Sequence, residues 1–182
     1  KKSRFELNEH SDKGEIPQTV IGQGNTLMTP FHNALLMCAV ANDGVLMKPY
    51  VIDHIEGADN TTVKENITEI YADLMSKKDA KKLQKMLREV VTDGTGYSLD
   101  TDLYTAAGKT GTAENEGKYA NAWFVGYSNV EDQDLVVCVL VENTGAGSKY
   151  AVPIAKKIFN SYYNNNMKEY YGEKKNTAQS DE

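Results

Sequence analysis

The sequence lacks any apolar run long enough to cross a membrane, and it has little cysteine. The longest apolar runs are residues 34–41 and 135–141, far short of the roughly 18 residues that a transmembrane helix needs. The two cysteines, Cys38 and Cys138, lie inside these runs, where a thiol acts as a small apolar side chain more often than as a ligand or half of a bridge. The sequence therefore predicts neither a membrane span nor a disulfide scaffold within these residues.

Positive charge and histidine are also scarce. Lysine and arginine number 20 against 26 aspartate and glutamate residues, for a net charge of −6, and the lysines are scattered along the chain. Nucleic acid is not expected as a partner, because its phosphates require a basic surface. The three histidines, His10, His32 and His54, have no metal-ligand spacing, so we expect no metal and no cofactor.

The remaining composition is that of an ordinary globular protein. The chain has 182 residues, of which 40% are hydrophobic and 25% charged, which fits one domain or part of a larger one. It begins at Lys1 with neither an initiator methionine nor a signal peptide. We therefore expect it to be a piece of a longer protein.

Helix caps and 3.6-residue periodicity predict three helices. They are Phe31–Asn42, Ala80–Asp93 and a closing helix through Val152–Tyr162. Thr29–Pro30 supplies the N-cap of the first, Ser76 and Asp79 form a capping box for the second, and Pro153 belongs to the first turn of the third. The glycine-dotted segment 1–25 is predicted to be irregular. Residues beyond Tyr163 lack Val, Leu, Ile, Phe and Trp and are expected to be frayed or extended.

The strands are predicted from period-two alternation and short intervening turns. Three of them, Tyr104–Ala113, Ala120–Ser128 and Leu135–Glu142, are expected to form an antiparallel meander. A further edge strand is predicted over Leu46–Ile55, paired with Thr61–Ile67, because Pro49 excludes a central position. The predicted fold class is α+β, with an antiparallel sheet packed against helices.

One short motif carries the chemistry. Lys109, Thr110 and Gly111 form a K-T-G triplet at the centre of the first meander strand; taken alone, it fits a polar edge strand equally well. Its context is more specific, because five motifs occur in order: I-G-Q-G at 21–24, T-P at 29–30, A-N-D-G at 41–44, A-G-K-T-G-T-A-E at 107–114 and A-W-F-V-G-Y at 122–127. This set resembles the transpeptidase domain of penicillin-binding proteins.

The resemblance implies a partial penicillin-binding protein or serine β-lactamase-like transpeptidase fold and assigns the K-T-G strand to the active site. Lys109 and Thr112 are then catalytic, with the backbone N–H of Thr112 in the oxyanion hole, and Thr110, Gly111, Thr112 and Ala113 bind substrate. Side chains alternate along a strand, so Thr110 and Thr112 point one way and Lys109 the other. The sequence leaves open whether Lys109 brings its ammonium back along its stem or the strand twists.

The sequence departs from the family in lacking both S-x-x-K and S-x-N. We therefore expect residues 1–163 to be the C-terminal portion of a transpeptidase domain, followed by a polar tail at 164–182. The isolated chain is expected to be inactive. The resemblance implies that the complete domain, including its N-terminal part, binds D-Ala-D-Ala stem peptides and β-lactams in an extracytoplasmic protein anchored to the bacterial membrane by an N-terminal region absent here.

Two alternative functions remain open, and a second copy of the chain is a further possible partner. The chain could be a non-catalytic peptide-binding module, or the C-terminal part of a serine β-lactamase-like enzyme. Residues 135–142 are apolar on both faces, as in a central strand. Because the resemblance places their second neighbour in the N-terminal part of the domain, we expect this strand to self-associate in the isolated chain.

Overall fold

The computed structural model describes residues 2–115, 117–130 and 133–178. Its helices are α1 (Glu15–Val20), α2 (Pro30–Ala41), α3 (Lys77–Thr92) and α4 (Gly147–Ala178), with a 3-10 turn at Tyr97–Leu99. Its strands are β1 (Val45–Met47), β2 (His54–Glu56), β3 (Thr62–Glu65), β4 (Ile70–Asp73), β5 (Thr105–Ala113), β6 (Asn121–Val130) and β7 (Gln133–Val141). All strand pairs are antiparallel, which confirms the predicted α+β class.

The largest sheet is the predicted meander, in the order β5-β6-β7. Phe124 lies opposite Thr110 on one side and Val139 on the other, and directly opposed side chains share a face of the sheet. On this face α4 contributes Ala155 and Phe159 to one buried cluster with Phe124 and Val139. Burial of each large apolar side chain stabilises the fold by roughly 2 kcal/mol, so α4 is held against this face of the sheet.

The opposite face of the sheet is less covered. Lys109, Val125 and Cys138 lie side by side there; Val125 and Cys138 are half-buried, whereas Lys109 is exposed. Burial raises the pKa of the Cys138 thiol to about 11, so the side chain is protonated and behaves as an apolar group.

The predicted N-caps of α2 and α3 are confirmed. Thr29 Oγ1 accepts a hydrogen bond from the His32 backbone N–H at 3.1 Å, and Pro30 is the first residue of α2. Ser76 Oγ accepts from the Asp79 N–H at 3.2 Å and donates to the Asp79 carboxylate at 2.7 Å. Both caps satisfy backbone donors that the helix itself leaves unpaired.

Ion pairs tie the end of α2 to α3. Asp43 has a φ of 54° and meets Lys81 at 2.7 Å and Lys77 at 2.9 Å. Hydrogen bonds from these ammonium groups hold the pKa of Asp43 well below its usual range, and the bond from Lys81 has the larger effect. The Gln84 side chain adds a hydrogen bond to the Val40 carbonyl at 2.7 Å.

The predicted strand over residues 46–55 is wrong as one element. It is interrupted between Met47 and His54, around Pro49, which has no N–H for a ladder. The predicted pairing with 61–67 is confirmed for β2 with β3. The first part, β1, instead pairs with β4, a strand that the sequence pattern did not reveal.

Both ends of the chain are more helical than predicted. The segment 1–25 contains α1, with Pro17 in its first turn, where a backbone N–H would be unpaired in any case. Helix α4 begins at Gly147, so Pro153 lies in its second turn instead of its first. The expected fraying beyond Tyr163 is wrong, because α4 continues to Ala178; a packed helix can extend over a polar segment that has no proline. Residues 179–182 lie outside the described residues.

Strand β7 has an open edge within the described part of the chain. It pairs with β6 and with no other strand there. Val137 and Val139 are buried on the α4 side, and Leu140 is half-buried on the other. Self-association through residues 135–142 stays a prediction.

Candidate active site

The sequence-predicted site residues lie together on the exposed half of β5, an edge strand of the sheet. Ala106 and Gly108 are buried at its start, whereas Lys109 and Thr112 are exposed, and Thr110, Gly111 and Ala113 are half-buried. These four residues, Lys109–Thr112, form the K-T-G-T segment, which is therefore accessible from solvent.

Side-chain donors mark the outer edge of β5. The donors and their carbonyl acceptors are Arg88 to Ala106 (2.8 Å), Lys109 to Thr110 (2.9 Å) and Gln23 to Thr112 (3.4 Å). These carbonyls lie at even positions and so point to the same side of the strand. A residue in a strand directs its N–H and C=O to the same side, so the Thr112 N–H also points to this edge.

The position of Lys109 answers the question that alternation left open. Its side chain leaves the sheet on the face opposite Thr110, yet its Nζ donates to the Thr110 carbonyl at 2.9 Å. The long stem bends back to the strand edge, and the ladder stays in register from Thr105 to Ala113. The ammonium thus lies beside the K-T-G-T edge, where it can attract an anionic ligand.

A glycine-flanked turn brings Gln23 to the site. Gly22 and Gly24 have φ values of 78° and 70°, which glycine adopts without the strain of a side chain. The Gln23 N–H donates to the Gln18 carbonyl at 2.8 Å, which fixes the turn on α1. Its side chain then donates to the Thr112 carbonyl at 3.4 Å.

A second glycine-flanked turn brings Thr95 to the same strand. This turn, Gly94–Gly96, follows α3, and the Gly96 N–H donates to the Val90 carbonyl at 2.9 Å. The hydroxyl oxygens of Thr95 and Thr110 are 2.7 Å apart. The two turns thus each place one polar side chain on the K-T-G-T segment.

The backbone around Gly111 of β5 is closely packed. A Cβ at Gly111 would lie 3.1 Å from the Trp123 Cβ, and a Cβ at Gly147 would lie 2.5 Å from the Gly111 carbonyl oxygen and also too near the Trp123 carbonyl. The missing Cβ of Gly111 thus leaves room for the Trp123 side chain. Helix α4 therefore rests directly on the strand that carries the motif.

Two kinds of feature are absent from the described residues. No group of three or more His, Cys, Asp or Glu side chains is placed to hold a metal ion in that part of the chain. Among the helices of these same residues, none has the length and apolarity that crossing a bilayer requires.

Comparison with known proteins decides the family. The sequence model for the penicillin binding protein transpeptidase domain matches residues 7–160, most of the chain. The chain belongs to the penicillin-binding protein transpeptidase family. The resemblance stated from the five motifs is thereby confirmed.

Curated relatives in this family are similar to this chain along most of its length. Peptidoglycan D,D-transpeptidase PbpA of Mycolicibacterium smegmatis is 30% identical over 156 residues, covering 80% of this chain and 31% of the relative. Peptidoglycan D,D-transpeptidase MrdA of Haemophilus influenzae is 32% identical over 176 residues, covering 85% of this chain and 27% of the relative. The chain thus spans less than a third of the length of each of these relatives.

A solved penicillin-binding protein structure has the same fold. The imipenem acyl-enzyme complex of penicillin-binding protein A from M. tuberculosis superposes with a TM-score of 0.75 at 26% identity, covering 85% of this chain and 35% of that one. The mixed helix and antiparallel sheet of this chain is therefore a transpeptidase-family fold.

Sequence reasoning placed the K-T-G-T residues on one strand but missed two of their contacts. Gln23 lies in the I-G-Q-G motif, to which the sequence assigns no role, and Thr95 lies outside all five motifs. A shared signal was present, since each lies between two glycines, in G-Q-G and G-T-G. Such triplets indicate tight turns, but the strand on which a turn packs depends on tertiary structure.

Proposed function

We propose that this chain forms one side of the active-site cleft of a D,D-transpeptidase that cross-links peptidoglycan stem peptides. The observation that carries the proposal is the open edge of β5, to which the Thr110 carbonyl and the Thr112 N–H and carbonyl point beside the Lys109 ammonium. An extended peptide can add to such an edge as a further antiparallel strand. The named D,D-transpeptidases to which the chain is similar support this choice of reaction.

The proposed reaction is acyl transfer through a serine ester. The serine oxygen bonds to the carbonyl carbon of the penultimate D-alanine, the bond to the terminal D-alanine nitrogen breaks, and that nitrogen takes up the serine proton. An amine of a second stem peptide then attacks the ester, forming the cross-link and returning a proton to serine. A β-lactam acylates the same serine, with its ring C–N bond breaking and its nitrogen taking the proton.

The residues of β5 stabilise charge in these steps. The Thr112 N–H donates to the oxyanion that forms on the attacked carbonyl. Lys109 supplies positive charge, and the Thr110 and Thr112 hydroxyls donate to the terminal carboxylate of the peptide or the drug. The missing Cβ of Gly111 and the small side chain of Ala113 leave room for the added strand.

The nucleophile in this proposal comes from polypeptide outside this sequence, because the sequence contains no S-x-x-K. Residues 1–163 would then be the C-terminal portion of the domain, and 164–182 its polar tail. We place the complete protein outside the cytoplasm and anchored to the membrane, where its stem-peptide substrate occurs. The 182-residue chain by itself would not be acylated.

Labelling with fluorescent penicillin tests the proposal. We expect the full-length protein to be labelled on a serine that peptide mass mapping places outside this sequence, and the 182-residue chain to stay unlabelled. Lys109→Ala should slow labelling of the full-length protein, whereas the matched surface variant Lys64→Ala on β3 should not. Absence of labelling in the full-length protein would favour a non-catalytic peptide-binding module, and covalent labelling of the chain itself would contradict an external nucleophile. Rapid release of the label would favour a β-lactamase.

A further inference from the structure

The hydroxyls of Thr95 and Thr110 form a short side-chain contact at the K-T-G-T segment. Their oxygens are 2.7 Å apart, near the most common distance for an O–H···O hydrogen bond. Thr95 is exposed and belongs to the turn that follows α3. Neither the sequence motifs nor the proposed roles of β5 include it.

The backbone around Thr95 holds it in place. The Gly96 N–H donates to the Val90 carbonyl at 2.9 Å, and a Cβ at Gly94 would lie 2.8 Å from that carbonyl oxygen. Arg88, which lies in α3, donates to the Ala106 carbonyl of β5 at 2.8 Å. The turn and the strand are therefore connected by contacts other than the two hydroxyls.

The number of protons in this hydroxyl pair decides what each group can do. Each threonine hydroxyl has one proton to donate, whereas a carboxylate only accepts hydrogen bonds. If Thr110 donates its proton to Thr95, none is left for a bound carboxylate. If Thr95 donates to Thr110, the Thr110 proton is free to point toward the ligand, and its donor strength rises because hydrogen bonds in a chain polarise one another.

We infer that Thr95 is a positioning residue, which donates to the Thr110 hydroxyl and so directs the Thr110 proton to the terminal carboxylate of the peptide or β-lactam. This inference rests on the proposed function of the K-T-G-T segment. Thr95 acts through Thr110 and need not touch the ligand. Its effect is therefore specific to ligands that carry the carboxylate.

The experiment compares acylation of the full-length protein by penicillin G and by its methyl ester, which lacks the carboxylate charge. Thr95→Val and Thr95→Ala should each slow acylation by penicillin G about three- to tenfold, the usual effect of one lost hydrogen bond. Acylation by the ester should stay within twofold of wild type. Thr95→Ser, which keeps the hydroxyl, should restore the rate, and Thr95→Val should add no further loss to Thr110→Val.

The matched control is Thr62→Val, the same substitution at an exposed position on β3, which should leave both rates unchanged. Equal losses with penicillin G and with the ester would overturn the inference, because they would indicate a general disturbance of the fold. An unchanged penicillin G rate in Thr95→Val would also overturn it, provided wild type is acylated. No acylation of wild type by either compound would overturn the proposed function, and this inference with it.

Discussion

Gly147 is the position where the structure makes its sharpest prediction about stability. A Cβ there would lie 2.5 Å from the Gly111 carbonyl oxygen and also in contact with the Trp123 carbonyl. Both neighbours are backbone atoms in paired strands, so neither can rotate away. Gly147 does not have a positive φ, and alanine would adopt its backbone conformation without strain. The destabilising part of the Gly147→Ala effect is therefore steric.

The magnitude follows from the contacts that must shift. Overpacking a closely packed site typically costs about 1–3 kcal/mol, with the upper end expected where the backbone itself must move. Alanine recovers at most about 1 kcal/mol through its better helix propensity. We expect a net loss of about 2 kcal/mol, accompanied by slower acylation because the displaced residue is the glycine of the K-T-G triplet.

Urea denaturation and penicillin labelling of the full-length protein measure both effects. Gly14→Ala is the matched control, because the nearest atom to a Cβ there is an Asp12 carboxylate oxygen at 3.6 Å, an ordinary contact. That variant should unfold and label like wild type. A Gly147→Ala protein with the stability of wild type would refute the close packing of α4 on β5.

Three further predictions concern individual side chains. Because Lys81 and Lys77 lower the pKa of Asp43, Asp43→Asn should reduce the thermal midpoint at pH 7. This difference from wild type should shrink as the pH falls below the ordinary aspartate pKa of about 4. A difference that is independent of pH would contradict the ion pairs. The Tyr104 hydroxyl is buried and finds no hydrogen-bond partner among the described residues. Tyr104→Phe should therefore leave the free energy of unfolding in urea unchanged or raise it by about 1 kcal/mol. A clear loss of stability would show that the hydroxyl is bonded. With a pKa of about 11 instead of 9.0, native Cys138 should react with iodoacetamide about a hundredfold more slowly than the unfolded protein at pH 8, and equal rates would contradict its burial.

Local signals predicted the elements whose cause is local. The predicted N-caps Thr29 and Ser76 are the observed N-caps of α2 and α3, because a cap acts on the next three residues. Pairing of β1 with β4 joins residues more than 20 positions apart, and no short-range pattern encodes it. Continuation of α4 beyond Tyr163 was missed because apolar periodicity ends there although helix formation does not.

In the candidate site, too, the sequence predicted the features that have a local cause and missed those that depend on tertiary packing. Alternation along β5 correctly placed Lys109 and Thr110 on opposite faces, since that property belongs to any strand. The return of the Lys109 ammonium to the strand edge depends on a rotamer, which the sequence does not specify. The contacts of Gln23 and Thr95 with β5 depend on how α1 and α3 pack, and that information is spread over the whole fold.

The central claim is that the open edge of β5 binds the acyl group and carboxylate of the ligand. A crystal structure of the penicillin-acylated full-length protein tests it most directly. We predict the acyl carbonyl oxygen on the Thr112 N–H and the drug carboxylate at about 3 Å from the Thr110 and Thr112 hydroxyls. A covalently bound drug whose carboxylate lies elsewhere, with the edge of β5 still occupied only by Gln23 and Lys109, would contradict the claim.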